Sequence, residues 1–294
     1  MIYRFVIYLQ PWEIDDFERQ VNQLILSSYY ISKENKNGII FDITLNISSN
    51  FIDWEKSSIP KDFIKEKFIY SVTKLSKFYK TEIDFNENDL INGAADKRRN
   101  CIDKIQDVFI WLDYDIFFSN KTLYYMIESI NNITDNYFVL TPQIIKYWDN
   151  SWDIITNQLF LNEKFNHRDY FDMFSLDNTI ESQNISLKKI TTFKFGAGCF
   201  TCISVKLLKK AGIPVEIGHY GPDDTYIMNY CNNFKDKLNI NQYILENIIV
   251  TEIGKTYLEN KNYFKKHFVT KFNTSTISME RLFEISKKYI MKDL

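Results

Sequence analysis

Ile2–Leu9 is apolar apart from Arg4, rich in β formers, and is followed by Pro11, a pattern that predicts a buried first strand. The period then lengthens. Ile14, Phe17, Val21, Leu24 and Ile25 recur at helical spacing over 13–28. Glu13, Asp15 and Asp16 fall in the first turn, where acids complement the positive end of a helix. Ile39–Ile47 predicts a second strand, and Pro60 opens a helix to about Tyr79 with Ile64, Phe68, Val72 and Leu75 on one face. The lysines of its other face, Lys61, Lys65, Lys67, Lys74 and Lys77, read as a solvated surface. A helix over 94–106 leads into Val108–Leu112, an unbroken apolar run that suits a strand covered on both faces. A helix from about Lys121 to Ile133 and a short strand Phe138–Thr141, stopped by Pro142, follow. Strand and helix alternate, which predicts an α/β fold with a largely parallel sheet.

The stretch 149–190 has no sustained period and is rich in Asn, Asp and aromatic residues. So long an irregular connection suits a binding surface or lid. A short helix over 204–211 ends at Gly212, another starts at Asp223, and a strand spans Ile244–Thr251. A polar stretch around 254–275 and a last amphipathic helix over 279–291, with Leu282, Phe283, Ser286 and Ile290, complete the chain. No repeat and no clear linker divides it. The expected organisation is one domain over 1–250, with halves 1–118 and 119–250, and an extension over 251–294 packed on it.

The 294 residues suffice for a sizeable core, and 45% hydrophobic with 25% charged residues is a globular balance. A net charge of −2 provides no overall basic field for nucleic acid or anionic membrane, although a local basic groove stays open. Cys101, Cys199, Cys202 and Cys231 are too few and scattered for a disulfide scaffold, and Cys199 and Cys202 read as buried thiols in a strand. No apolar stretch approaches a membrane span, and the first run is too short for a signal peptide, so a reducing, cytoplasmic setting is expected. Five of the eight glycines lie between Gly196 and Gly221, which marks 195–224 as a place of sharp turns or close backbone approach.

Asp113-Tyr114-Asp115 follows Leu112 directly. In extended backbone, residues two apart point to the same side, so both carboxylates can converge. Ligands of open parallel sheets bind outside the carboxyl ends of the strands, and two acids there suit Mg2+ or Mn2+ with a bridging diphosphate. Upstream stand Gly93-Ala94-Ala95-Asp96-Lys97-Arg98-Arg99-Asn100. Downstream stand Gly196-Ala197-Gly198, a helix, and His219-Tyr220-Gly221-Pro222-Asp223-Asp224. In these residues the chain resembles the family 2 glycosyltransferases and their relatives. Those enzymes carry a glycine, then Ala-Arg-Asn, an apolar strand ending in Asp-x-Asp, a small-residue strand, and an acid pair at a helix start. Arg98 departs from the family's alanine, while Arg99 and Asn100 fall on its conserved pair.

The resemblance covers about residues 1–230 and implies a GT-A fold with a Rossmann-like central sheet, an irregular acceptor-side region and a nucleoside diphosphate sugar as donor, UDP-sugar first. It implies a divalent metal on Asp115 and Asp113, and direct displacement with inversion. It places the general base at Asp224 or Asp223, with helix capping as the alternative use of those acids. It further implies donor contacts at Leu9, Pro11, Trp12, Arg99, Asn100 and Tyr114, with a surface role as the alternative for Arg99, and places uracil near Leu9–Trp12 and Thr44–Ile47. The acceptor contacts expected on this reading are Gly198, His219, Trp148 and Trp152, with a turn role as the alternative for His219, and the candidates for a third metal ligand are His267 and Glu252. The acceptor is a glycan, another hydroxyl-bearing molecule or a hydroxymethylated DNA base. A nucleotidyltransferase of related fold is the first rival, but Leu9-Gln10-Pro11-Trp12-Glu13 lacks the Gly-rich basic loop such enzymes carry. A non-catalytic sugar or nucleotide-binding module is the second; it would not need both acid pairs.

Overall fold

The computed structural model describes residues 1–49, 52–87, 93–146, 185–190, 198–218 and 223–252, together with Glu284. Trp148, Trp152, His219 and His267, and all of the expected C-terminal helix except Glu284, lie outside the described residues.

The elements are β1 (Tyr3–Leu9), α1 (Ile14–Ser27), α2 (Lys33–Asn37), β2 (Ile39–Asn46), α3 (Lys61–Leu75) and β3 (Lys80–Asn86). Next come α4 (Ala94–Cys101), β4 (Val108–Leu112), β5 (Ile116–Phe118), α5 (Thr122–Asn131), β6 (Phe138–Lys146) and β7 (Ser186–Ile190). The described part closes with β8 (Phe200–Ser204), α6 (Val205–Ala211), α7 (Asp223–Leu238) and β9 (Asn241–Glu252). One sheet holds all of these strands in the order β3-β2-β1-β4-β8-β6-β9-β5, with β7 also on β9. β3, β2, β1 and β4 run parallel, as do β6 and β9. β8 lies antiparallel between β4 and β6, and β5 and β7 lie antiparallel to β9.

Three expectations change. The helix expected over 94–106 ends at Cys101 and tightens into a 3-10 turn over Ile102–Lys104. The strand expected to stop at Pro142 runs on to Lys146, because the register against β9 shifts between Pro142 and Gln143 and so accommodates a residue with no N–H. The stretch 149–190 contains an edge strand at its end, β7.

The continuous apolar runs reflect burial on two faces. Phe5 and Ile7 of β1, with Ile110 and Leu112 of β4, pack into a core under α1, α3 and α5. Val6, Phe109 and Trp111, of opposite parity, pack under α4, α6 and α7. Phe17 of α1 stacks on Phe68 of α3 at 5.8 Å between ring centroids, and truncating so buried a ring to alanine costs about 3–5 kcal/mol. Arg4, the one charge in β1, is buried too, and donates to Asp42 of β2 at 3.0 Å and Glu82 of β3 at 2.6 Å. Because β1 to β4 are parallel, Leu9, Asn46, Asn86 and Leu112 all end at one edge of the sheet. That edge carries the candidate site.

Candidate active site

The acids after β4 do not continue the strand. The Ile116 amide donates to the Asp113 carbonyl at 3.3 Å, so Asp113-Tyr114-Asp115 forms a turn into β5. The extended geometry expected for the triplet is therefore replaced by a bend. The chain must bend here because β5 leaves β4 to pair with β9. Gln20 of α1 braces the bend by donating Nε2 to the Asp113 carbonyl at 2.5 Å, and the Asp113 amide donates to the Cys199 carbonyl at 2.8 Å.

The carboxylates still share one field. The Asp113 side chain keeps 37% of its exposure, while Asp115 is buried. Burial pushes the Asp113 carboxyl up to about 6, against the pull of Arg98, and Glu252 adds to the rise. Asp115 is pushed well above the usual carboxylate range by burial first, then by Glu252 and Asp113. Glu252 reaches the site because it stands opposite Ile116 in the β5–β9 ladder. It is the third acid of the group, 137 residues beyond Asp115 in sequence.

Arg98 is the cation that joins the two halves of the site. It projects from α4 and is buried, and its Nη2 donates to Asp113 Oδ1 at 3.0 Å. Its Nη1 is shared between Asp223 Oδ1 and Oδ2, both at 3.1 Å. The guanidinium also lies 5.4 Å from the Trp111 ring centroid, where the ring's negative face adds to its stabilisation. Burial raises the Asp223 carboxyl and Arg98 holds it down. The residue that departs from the family pattern is thus the one in contact with both acid motifs. Arg99, expected beside the diphosphate, points elsewhere. It donates Nε to the Ile213 carbonyl at 2.7 Å and Nη2 to the Pro214 carbonyl at 2.9 Å, and pairs with Asp96.

Asp224 is half-buried at the start of α7. Its Oδ2 accepts the Gly198 amide at 3.1 Å, and its Oδ1 accepts the Thr225 amide at 2.6 Å. A Cβ on Gly198 would stand 2.6 Å from the Asp224 Cβ, so the close approach of backbone signalled by the glycine cluster occurs here.

The loop after β1 supports the site from the other side. Leu9 and Pro11 are buried and Trp12 is half-buried. Glu13 Oε2 accepts the Gln10 amide at 2.7 Å, and the Glu13 carboxylate accepts the Tyr114 hydroxyl. Burial pushes Glu13 up to about 8. Across the ends of β1, β2 and β3, and bounded by α4, lies an open cleft of about 650 Å3. Its lining includes Tyr8, Thr44, Asn86, Asp96, Lys97 and Asn100. Lys97 is anchored on buried Asp42 at 2.6 Å. Thr44 is among the lining residues, and its hydroxyl is buried with no hydrogen-bond partner among the described residues. A buried hydroxyl without a partner carries a desolvation cost that one new hydrogen bond relieves.

Hard oxygen ligands at Asp113, Asp115 and Glu252 suit Mg2+ or Mn2+, which retain waters and substrate phosphates rather than demand a full protein cage. Among the described residues, no three acidic, His or Cys side chains stand close enough to enclose a metal ion by themselves. The four cysteines are buried and free. No described helix is long and apolar enough to cross a membrane.

No protein-family model and no curated protein matches the chain. Solved structures do. The chain is similar to S. aureus TarS 1–349, with 11% identity, 88% of this chain and 63% of that one covered, and a TM-score of 0.51. The same TarS fragment in complex with UDP-GlcNAc gives 9% identity over 85% and 58% of the two chains, with a TM-score of 0.51. GalNAc-T7 with UDP, GalNAc and Mn2+ gives 12% identity, 86% and 43% coverage, and 0.51. The chain thus spans less than two thirds of the length of each of these. At such identities the likeness is one of fold, and the fold is GT-A.

Proposed function

We propose that this chain is a metal-dependent glycosyltransferase that moves a sugar from a nucleoside diphosphate sugar, UDP-sugar first, to an acceptor hydroxyl with inversion. The observation that carries the reading is the placing of Asp113 and Asp115 in the turn after β4, with Glu252 opposite Ile116 in the β5–β9 ladder, at the sheet edge that also bears a nucleotide-sized cleft. TarS with UDP-GlcNAc and GalNAc-T7 with UDP and Mn2+ supply the donor chemistry by analogy of fold.

Asp115 and Asp113, with Glu252, would hold the metal; bound there, it neutralises charge on the leaving nucleoside diphosphate. The nucleoside occupies the cleft, with Thr44 and Asn100 among its polar contacts. Arg98 keeps Asp113 and Asp223 apart as charges and together in space. Asp224 is the general base. Asp223 is buried and held by both its oxygens on the Arg98 cation, whereas Asp224, whose oxygens accept among the described residues only neutral donors from Gly198 and Thr225, is partly exposed and can meet an acceptor hydroxyl. The acceptor is a glycan or other small hydroxyl compound; a DNA base gains no support from the fold likeness.

The test is donor hydrolysis and transfer, read as nucleotide release from UDP-sugars with and without Mn2+. Mn2+-dependent release that Asp115→Ala abolishes without lowering the melting temperature is the expected result. A well-folded Asp115→Ala variant with unchanged turnover would remove the metal assignment. A nucleotidyltransferase would instead release pyrophosphate from a nucleoside triphosphate.

A further inference from the structure

Ten large apolar side chains are exposed among the described residues, and seven belong to α1, α3, α5 or the turn after α1. Four of them, Leu26, Tyr29, Tyr30 and Tyr70, lie at the end of α1 or in the second half of α3. Tyr29 is 72% exposed and meets Phe78, just past α3, edge-on at 6.1 Å. Lys74 lies 4.9 Å from the centroid of the exposed Tyr70 ring and reaches Asn22 of α1 at 3.4 Å. Lys121 lies 5.7 Å from the exposed Tyr30 ring and so joins the start of α5 to the same surface. Aromatic rings and lysines thus meet around the end of α1, the second half of α3 and the start of α5.

Basic charge predominates, although Lys80 pairs with Glu82 at 3.1 Å. Segments 26–38, 70–80 and 121–131 hold six lysines and two acids, Glu34 and Glu128, in a chain whose net charge is −2. Lys33, Lys36 and Lys77 enter no ion pair among the described residues. The solvated face expected of α3 thus continues into a basic, tyrosine-rich pole. The pole lies where β2 and β3 begin, opposite the strand ends that carry the candidate site.

We propose that this pole docks on an anionic lipid bilayer. Tyrosine rings settle at headgroup level, and lysine stems lie along apolar surface while their ammonium groups reach lipid phosphates. Basic residues near an anionic leaflet add attraction singly, and a surface that combines them with apolar rings provides the two signals that stable attachment needs. A protein partner fits less well, because the centres of protein interfaces are depleted in lysine, and here lysines cover the rings. Docking at this pole leaves the cleft and its acids open to solvent.

The test is co-sedimentation of the full chain with phosphatidylcholine vesicles and with vesicles of phosphatidylcholine and phosphatidylglycerol. The chain should sediment with the second kind only, and added salt should release it. Lys33→Ala, Lys36→Ala and Lys77→Ala should each weaken partitioning about fivefold. Tyr29→Ser with Tyr30→Ser should weaken it further while the melting temperature holds. Equal sedimentation with both vesicles, or lysine variants that bind as the parent does, overturns the proposal. So does a parent chain that runs as a dimer and is made monomeric by the tyrosine variants. None of these readouts depends on transferase activity.

Discussion

The Gly198 amide donates to Asp224 Oδ2 at 3.1 Å, and a methyl group on Gly198 would lie 2.6 Å from the Asp224 Cβ and 2.9 Å from that same oxygen. The start of β8 and the start of α7 therefore fit only while residue 198 has no side chain. Gly198→Ala should push the carboxylate aside and cut transfer by up to the roughly 10²–10⁴-fold that a general base contributes. Donor affinity should stay near that of the parent, since Asp115 and the cleft are untouched. Comparing kcat with the donor KM checks this; a loss confined to KM would place Asp224 with the donor.

Arg98 balances two buried or half-buried acids, so removing it leaves charge without a counterion. Arg98→Met should cost about 3–5 kcal/mol of stability at neutral pH. The deficit should shrink on acidification, because Asp113 and Asp223 can then take up protons. Melting curves of parent and variant over a pH series measure it, and a deficit independent of pH would mean that Arg98 acts by packing alone.

Burial first, and neighbouring carboxylates after it, raise the proton affinities of Asp113 and Asp115, and both oppose folding of the ionised forms when no cation is bound. Asp115→Asn should therefore melt at a higher temperature than the parent in chelator and lose the parent's gain in Mn2+. Glu252→Gln should keep activity but require more Mn2+ for half-maximal rate. Calorimetry and metal titration test both.

Glu13 should impose a slope on stability. Its unfolded pKa is about 4.3, and burial raises the folded value to about 8. Between these values the folded chain binds more protons than the unfolded chain, so stability falls as pH rises through that window. Glu13→Gln should flatten the slope. Denaturant midpoints from pH 5 to 8, compared between the two proteins, provide the measurement, and an unchanged slope would assign it to other groups.

The Thr44 hydroxyl is buried and lacks a partner among the described residues, on a residue that lines the cleft. Thr44→Val should leave the free protein as stable or more so, and weaken UDP binding by about 0.5–1.5 kcal/mol, the net worth of one hydrogen bond. Isothermal titration with UDP and Mn2+ tests it. Equal affinity would move the nucleoside away from β2.

The alternation of apolar runs and helical periods by itself determined β1, α1, β2, α3 and β4, because strands covered on both faces and helices covered on one are obliged to show those patterns. Pro222-Asp223-Asp224 and Asp113-Tyr114-Asp115 were legible for the same local reason, as acids at a helix start and past a buried strand. β3 was not legible. It is an edge strand whose Lys80, Asp84 and Ile83 are exposed, so no inward alternation marks it. The bend at Asp113 was hidden because it answers to the β5–β9 ladder rather than to its own residues. Arg98 looked like one more cation in Lys97-Arg98-Arg99, and only the folded chain separates the three. Lys97 goes to Asp42, Arg98 to Asp113 and Asp223, and Arg99 to the carbonyls of Ile213 and Pro214. Adjacent residues on a helix diverge by about 100°. Which of them meets a partner 125 positions away is decided by how the sheet stacks α4 against α7, and no local pattern records that.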